Sequence, residues 1–147
     1  MAHHIEKFVY PAKLAQDAKG FFLVTFPDFP AAGTDARDKD EALRAGIDCL
    51  EETLAGRIRR GDDIPYPSAK KRGQYLITVP PQMAVKTALY LALQDAGLTK
   101  TEFASVLGAD EKEVRRLLDP QHPSKLPRMQ AALEALGKHL VIGVEAA

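Results

Sequence analysis

The chain's 147 residues, 46% hydrophobic and 27% charged, suit one compact soluble domain or two small ones. Its 20 basic and 20 acidic residues cancel, which excludes a strongly basic nucleic-acid-coating protein and leaves any DNA binding to a local patch. With no run of 18 apolar residues and no apolar signal-peptide core, no membrane partner is expected, and the lone Cys49, lacking a second cysteine to pair with, fits a reducing cytoplasm.

The first half reads as strands, a helix and a strand. His4 to Leu14 (HIEKFVYPAKL) and Gly20 to Phe26 (GFFLVTF) are rich in aromatic and β-branched residues, and the polar AQDAK between them suits a hairpin. Pro27 and Pro30 are expected to end the second strand, because proline lacks the ladder donor. A short third strand is placed at Ala32 to Asp35. From Asp38 the period changes: Leu43, Ile47, Leu50, Leu54 and Ile58 recur at steps of four and three, which is one face of a helix ending near Gly61. Cys49 lies in this helix with no His near it in sequence and takes a packing role. After the loop DDIPYPS, the linker AKKRGQ (Ala69 to Gln74) carries three consecutive bases, either an exposed connector or a nucleic-acid contact. QYLITV (Gln74 to Val79) is a fourth strand. The predicted first domain, residues 1–80, is thus a ββ(β)αβ unit of α+β class.

The second half, residues 81–147, reads as helical. Pro80-Pro81 opens a helix to about Ala96, since proline is tolerated in a first turn. Two short helices follow, Lys100 to Leu107 and Glu111 to Leu118, and a fourth runs from Lys125 or Pro127 to Leu136. HLVIGV (His139 to Val144) reads as a terminal strand that either pairs between subunits or packs on its own domain.

TKTEFASVLGADEKEVRRLLDP, Thr99 to Pro120, carries the strongest motif. Thr99 with Glu102, and Asp110 with Glu113, have the spacing of capping boxes. Ala104, Gly108 four residues later and Val114 six after that give the spacing of a helix-turn-helix. Glu111, Lys112, Arg115 and Arg116 are left over from packing. Lys and Arg donate to guanine edges and Glu accepts from cytosine, while Thr101, Ser124, Lys125 and Arg128 flank the helix where phosphates are held. The same turn also serves a small bundle whose cations are merely solvated, and Glu111 and Glu113 repel phosphates if they point outward. One such module binds weakly, so a dimer reading two half-sites is the sensible form.

Five carboxylates crowd FPDFPAAGTDARDKDEAL. Asp38 with Glu41 has the spacing of an acidic capping box, and Asp40 complements the helix dipole. Asp28 and Asp35 occupy turn positions. A metal-dependent nuclease needs carboxylates converging from several strand ends with a base or a positioned water, and no His lies in the segment. From Asp28 to Glu52 eight acids face three bases, a local balance of −5, which suits a solvated helix face or a surface for a basic protein.

As a set these residues resemble a known family. FLVTFPDFPAAGTDARDKDEALRAGIDCLEETL with IPYPS after it resembles the N-terminal domain of HicB-type antitoxins. VKTALYLALQDAGLTKTEFASVLGADEKEVRRLLDPQHPSKL through ALEALGKHLVIGV resembles the helix-turn-helix version of the same antitoxins, so the likeness spans nearly the whole chain. The resemblance implies a truncated RNase H-like fold without nuclease activity, joined to an Xre/λ-repressor-like DNA-binding domain that also dimerises. It implies that the first domain binds a small, basic, mRNA-cleaving toxin, HicA, and blocks its catalytic His. The second domain would repress the operon encoding both, binding double-stranded operator DNA as a homodimer or a tetramer. No catalytic residue, metal or cofactor is implied, and the location is cytoplasmic, on the nucleoid when DNA-bound. The DNA-binding residues are then Thr101, Glu111, Lys112, Arg115, Arg116, Ser124, Lys125 and Arg128, and the toxin-facing ones Asp28, Phe29 and Asp35. Family members often carry Gly-Cys after the second proline and Gly-Asp-Thr before the helix. Ala31-Ala32 and Ala36-Arg37-Asp38 stand here instead, which keeps the helix cap and changes the toxin-facing loop. Two rivals compete with this reading: a stand-alone ligand-responsive helix-turn-helix repressor, and a metal-dependent RNase H-like nuclease using Asp28 and Asp35.

Overall fold

Four strands and five helices follow one another in a computed structural model that describes residues 4–147: β1 (Val9–Gln16), β2 (Phe22–Phe26), β3 (Phe29–Ala36), α1 (Lys39–Arg60), β4 (Tyr75–Thr78), α2 (Pro81–Ala96), α3 (Lys100–Leu107), α4 (Glu111–Leu118) and α5 (Leu126–Ala135). The first three residues of the predicted first domain lie outside the described residues. Contacts divide the described residues into a sheet unit, Glu6–Met83, and a helical unit, Ala84–Ala147, with which His4 and Ile5 are grouped.

The sheet is antiparallel throughout, in the order β3-β2-β1-β4. Its central strand is used in halves: Val9 to Ala12 pair with β4, while Lys13 to Gln16 pair with β2. That division accommodates Pro11. The Val79 amide donates to Phe8 O at 3.0 Å, so hydrogen-bonded pairs alternate from there and Pro11 opposite Leu76 falls at a position that asks for no donor toward β4. Asp17 closes the β1–β2 hairpin, its Oδ1 accepting from the Lys19 and Phe21 amides at 2.9 Å each.

β2 ends at Phe26, before Pro27, as expected, but Pro30 lies inside the third strand, which was expected to begin only at Ala32. β3 begins at Phe29, directly after the two-residue turn Pro27-Asp28, and runs eight residues instead of four. Proline is admissible there because β3 is an edge strand.

Helix α1 has the predicted ends. Asp38 accepts from the Glu41 amide at 2.8 Å, and Gly61 terminates the helix at φ 74°. Its packed face is rotated from the predicted one: Ala42, Gly46, Leu50, Leu54 and Ile58 are buried, while Leu43 and Ile47 are only partly so. The small residues let the helix lie close on the sheet, since a Cβ at Gly46 would stand 3.2 Å from Val24 Cγ1. Beneath it Tyr10, Ala12, Val24, Phe26, Phe29 and Ile77 complete the core. The basic AKKRGQ segment is an exposed connector inside this unit leading to β4: Lys70, Lys71 and Arg72 are exposed, and the Gln74 side chain accepts from the Lys71 amide at 2.7 Å.

In the helical unit, Val85, Leu89, Leu93, Phe103, Val114, Leu117, Met129 and Leu133 form one apolar core. Thr99 and Glu102 make the full capping box of α3, and Gly108 ends that helix at φ 70°. Asp110 caps α4 by accepting from the Glu113 amide at 2.7 Å. The reciprocal half of the expected second box is absent, because the Glu113 carboxylate pairs with Arg128 instead. The strand expected at His139 to Val144 does not form within the chain, which removes the reading in which it packs as a strand on its own domain and leaves pairing between subunits as an expectation. Residues 138–147 join no ladder, for a strand requires a partner and the helical unit offers none.

Candidate functional site

Two surfaces carry the residues singled out in the sequence, one on each unit. On the sheet unit the β2–β3 turn is tied to the loop of residues 61–74. Asp28 Oδ2 accepts from the Ser68 amide at 3.0 Å and from its hydroxyl at 3.1 Å, and the Tyr10 hydroxyl donates to Pro65 O at 2.8 Å. Burial, with the Asp28 carboxylate next in weight, raises the Tyr10 pKa well above the ordinary phenol range, so Tyr10 stays a neutral donor. Phe29 is 0% exposed, its ring 5.0 Å from that of Tyr10 and beneath the Arg57 guanidinium. Its side chain therefore supports the turn from below and is not on the surface, which departs from the expected toxin-facing position. The reason is register: Phe29 pairs with Phe26, and both face α1.

Asp35 is exposed and pairs with Leu23 on the sheet face turned away from α1. Six residues of extended strand separate it from Phe29, roughly 20 Å, so Asp28 and Asp35 cannot share a metal ion. This removes the ligand pair of the nuclease rival. Asp38 is spent on its cap. Among the described residues no three His, Cys, Asp or Glu side chains gather in a way that holds a metal.

On the helical unit, α4 exposes Lys112, Arg115 and Arg116 and buries Val114, Leu117 and Leu118. Thr101 and Glu111 meet across the α3–α4 turn, the hydroxyl donating to Glu111 Oε1 at 2.8 Å. A shallow cavity of about 420 Å³ lies between α4 and the start of α5, lined by Lys112, Arg116, Lys125 and Arg128 together with Glu113 and His122. Four of the sequence-predicted cations, Lys112, Arg116, Lys125 and Arg128, thus converge on one concave patch, while Arg115 does not line it. Ser124 is only partly exposed. Its hydroxyl accepts from Lys86 Nζ at 2.7 Å and donates to Arg116 O at 3.2 Å.

Lys86 attracts no expectation from the sequence. It is 0% exposed, on α2 among Val85, Leu89 and Leu93, and its ammonium donates to Arg116 O at 2.9 Å and Leu117 O at 2.8 Å as well as to Ser124. Burial pushes its pKa down to about 8, with Asp119 acting in the opposite sense. The available signal was a lone cation inside the apolar run AVKTALYLAL.

Comparison with known proteins agrees across both units. Residues 9–88 match the model of a HicB-like antitoxin of bacterial toxin–antitoxin systems. The chain is similar to Antitoxin HicB 2 of Photorhabdus laumondii, 34% identical over 131 residues that span 89% of this chain and 92% of that protein. It is similar to Antitoxin HicB of Escherichia coli K12 at 32% identity over 89% of this chain and 95% of the relative. With Antitoxin HicB of Pseudomonas fluorescens the identity is 33% over 95% of this chain and 96% of the relative. No helix among the described residues is long and apolar enough to cross a membrane. The chain belongs to the HicB-like antitoxin family, whose named members are antitoxins and not enzymes.

Proposed function

We propose that the sheet unit neutralises a HicA-like mRNA-cleaving toxin by direct binding, and that the helical unit binds operator DNA as a dimer to repress the chain's own operon. In this reading residues 1–80 are a truncated RNase H-like toxin-binding domain, and residues 81–147 an Xre/λ-repressor-like helix-turn-helix domain. The observation that carries the DNA half is the face of α4: Lys112, Arg115 and Arg116 stand exposed on a capped short helix, beside Lys125 and Arg128 at the rim of one concave patch. Lys112, Arg115 and Arg116 reach base edges, with Glu111 oriented by Thr101 as an acceptor. Lys125 and Arg128 hold phosphates, with Ser124 contributing through the loop it fixes.

The toxin half rests on family membership, on the turn tied down by Asp28 and, roughly 20 Å along β3 from that turn, on Asp35 and the acidic start of α1, which offer carboxylates to a basic partner. Dimerisation is supported by the tail, where Val141, Ile142 and Val144 are 58%, 70% and 98% exposed in an apolar, β-branched run. Pairing with the same segment of a second copy removes that exposure and supplies the missing ladder. Co-expression with the product of the neighbouring short reading frame tests the first clause. Co-purification and rescue of growth are expected, and failure of both rejects it. For the second clause, Arg115→Ala and Lys112→Ala are each expected to weaken binding to a duplex from the upstream region by about 5- to 100-fold; an unchanged gel shift for both rejects α4 as the reading helix.

A further inference from the structure

The geometry points to Lys86 as the positioning residue of the DNA-binding face: a buried ammonium that joins α2 to the last turn of α4 and to the loop of residues 119–125, fixing how both the base-reading and phosphate-holding side chains are presented. The inference rests on the DNA-binding reading above for its function, though not for its geometry. A helix leaves its last four carbonyls without intrahelical donors. In α4 two carbonyls of this stretch, those of Arg116 and Leu117, accept from one Nζ at 2.9 and 2.8 Å. The third donor goes to Ser124 Oγ at 2.7 Å, and that hydroxyl returns to Arg116 O and lies 3.2 Å from His122 Nδ1.

All three protons of the ammonium are therefore used, with no described buried side-chain polar atom left unsatisfied. The partners lie 30, 31 and 38 residues away in sequence, so nothing local can replace the tie. The positive charge also sits at the negative end of the α4 dipole. Arg115 and Arg116 occupy this same last turn, and Lys125 and Arg128 follow directly on the loop that Ser124 anchors. A shift of that turn and its loop moves Arg115, Arg116 and Lys125 together. On loss of a proton the neutral amine still donates to the two carbonyls, and it accepts from the Ser124 hydroxyl only if that hydroxyl gives up its bond to Arg116 O.

The test uses the full chain and Lys86→Met, which keeps the apolar stem and removes the donors. At a temperature where circular dichroism shows the variant fully folded, its Kd for a labelled duplex from the upstream region is expected to rise about tenfold or more. Amide exchange is expected to accelerate selectively in residues 115–125 and not in α3. A residue that merely adds stability would leave the affinity of the folded molecules unchanged. An unaltered Kd with unaltered exchange in residues 115–125 overturns the inference. If the wild-type chain itself does not bind the duplex, the DNA reading fails, and the exchange pattern alone decides the role of Lys86. If Lys86→Met does not fold, the wild-type protein decides: a single lysine ammonium resonance protected from exchange with water is expected near neutral pH, and its absence rejects the tie.

Discussion

In the sheet unit the polar ties lie at the rim. Asp28 takes two hydrogen bonds from Ser68, and Tyr10 reaches Pro65, both fastening a turn and a loop beside the mostly apolar core under α1. In the helical unit the tie lies underneath, where Lys86 stands fully buried in the core side of α2 and holds α4 from within. The difference follows from the elements available. A sheet satisfies its own backbone through the ladder, so polar side chains are needed only where loops meet. A short helix leaves terminal carbonyls open, and one that ends against other helices has to be capped by what those helices supply.

The comparison predicts a graded series. The largest effect belongs to the apolar core that each unit has of its own. Phe103→Ala, at a site with 0% exposure, is expected to cost about 3–5 kcal/mol, measured by chemical denaturation with exchange followed in α3 and α4. A loss under about 1 kcal/mol would mean that the core of the helical unit is not built as described.

The intermediate effect belongs to Lys86 and depends on pH. Lys86→Met removes the donor to Leu117 O while Ser124 still serves Arg116 O, an expected cost of about 1–3 kcal/mol near neutral pH. The ordinary value of 10.5 falls to about 8 on folding. Between those values the unfolded chain binds the extra proton, so the contribution of Lys86 rises with pH. This pH-dependent part is fully present above 10.5 and is lost as pH falls through about 8, where only the hydrogen-bond part remains. The gap between wild type and Lys86→Met is therefore expected to widen from pH 8 toward 10.5. Tyr10 acts in the opposite sense above its ordinary 10.0, but it is present in both proteins and cancels in the difference. A gap that narrows over this interval would break the contrast between a buried tie and a rim tie.

The smallest effect belongs to the rim. Asp28→Ala removes two partly exposed hydrogen bonds and is expected to cost under about 1 kcal/mol, seen as faster exchange of the Ser68 amide with the sheet amides unchanged. If the rim were as costly to cut as the buried tie, the two units would be anchored alike.

What was legible in the sequence is what is local. The caps Asp38, Thr99 and Asp110 and the stops Gly61 and Gly108 act over three or four residues, and they placed α1, α3 and α4 to the residue or nearly so. The cations Lys112, Arg115 and Arg116 were identifiable as exposed, because period 3.6 assigns Val114, Leu117 and Leu118 to the core. Periodicity was less informative for α1, where small residues, which score weakly as apolar, form the contact face.

The tertiary structure alone decided the rest. β3 extends through Pro30 because it lies at the sheet edge, and Phe29 is buried because it pairs with Phe26 beneath Arg57. The tail forms no strand because a ladder needs a second chain segment. Lys86, a charge in an apolar run, became a structural tie through partners 30 or more residues distant. Local spacing is written in the order of residues, but the partner of a buried polar group is set by which segments fold against it, and no short-range pattern records that.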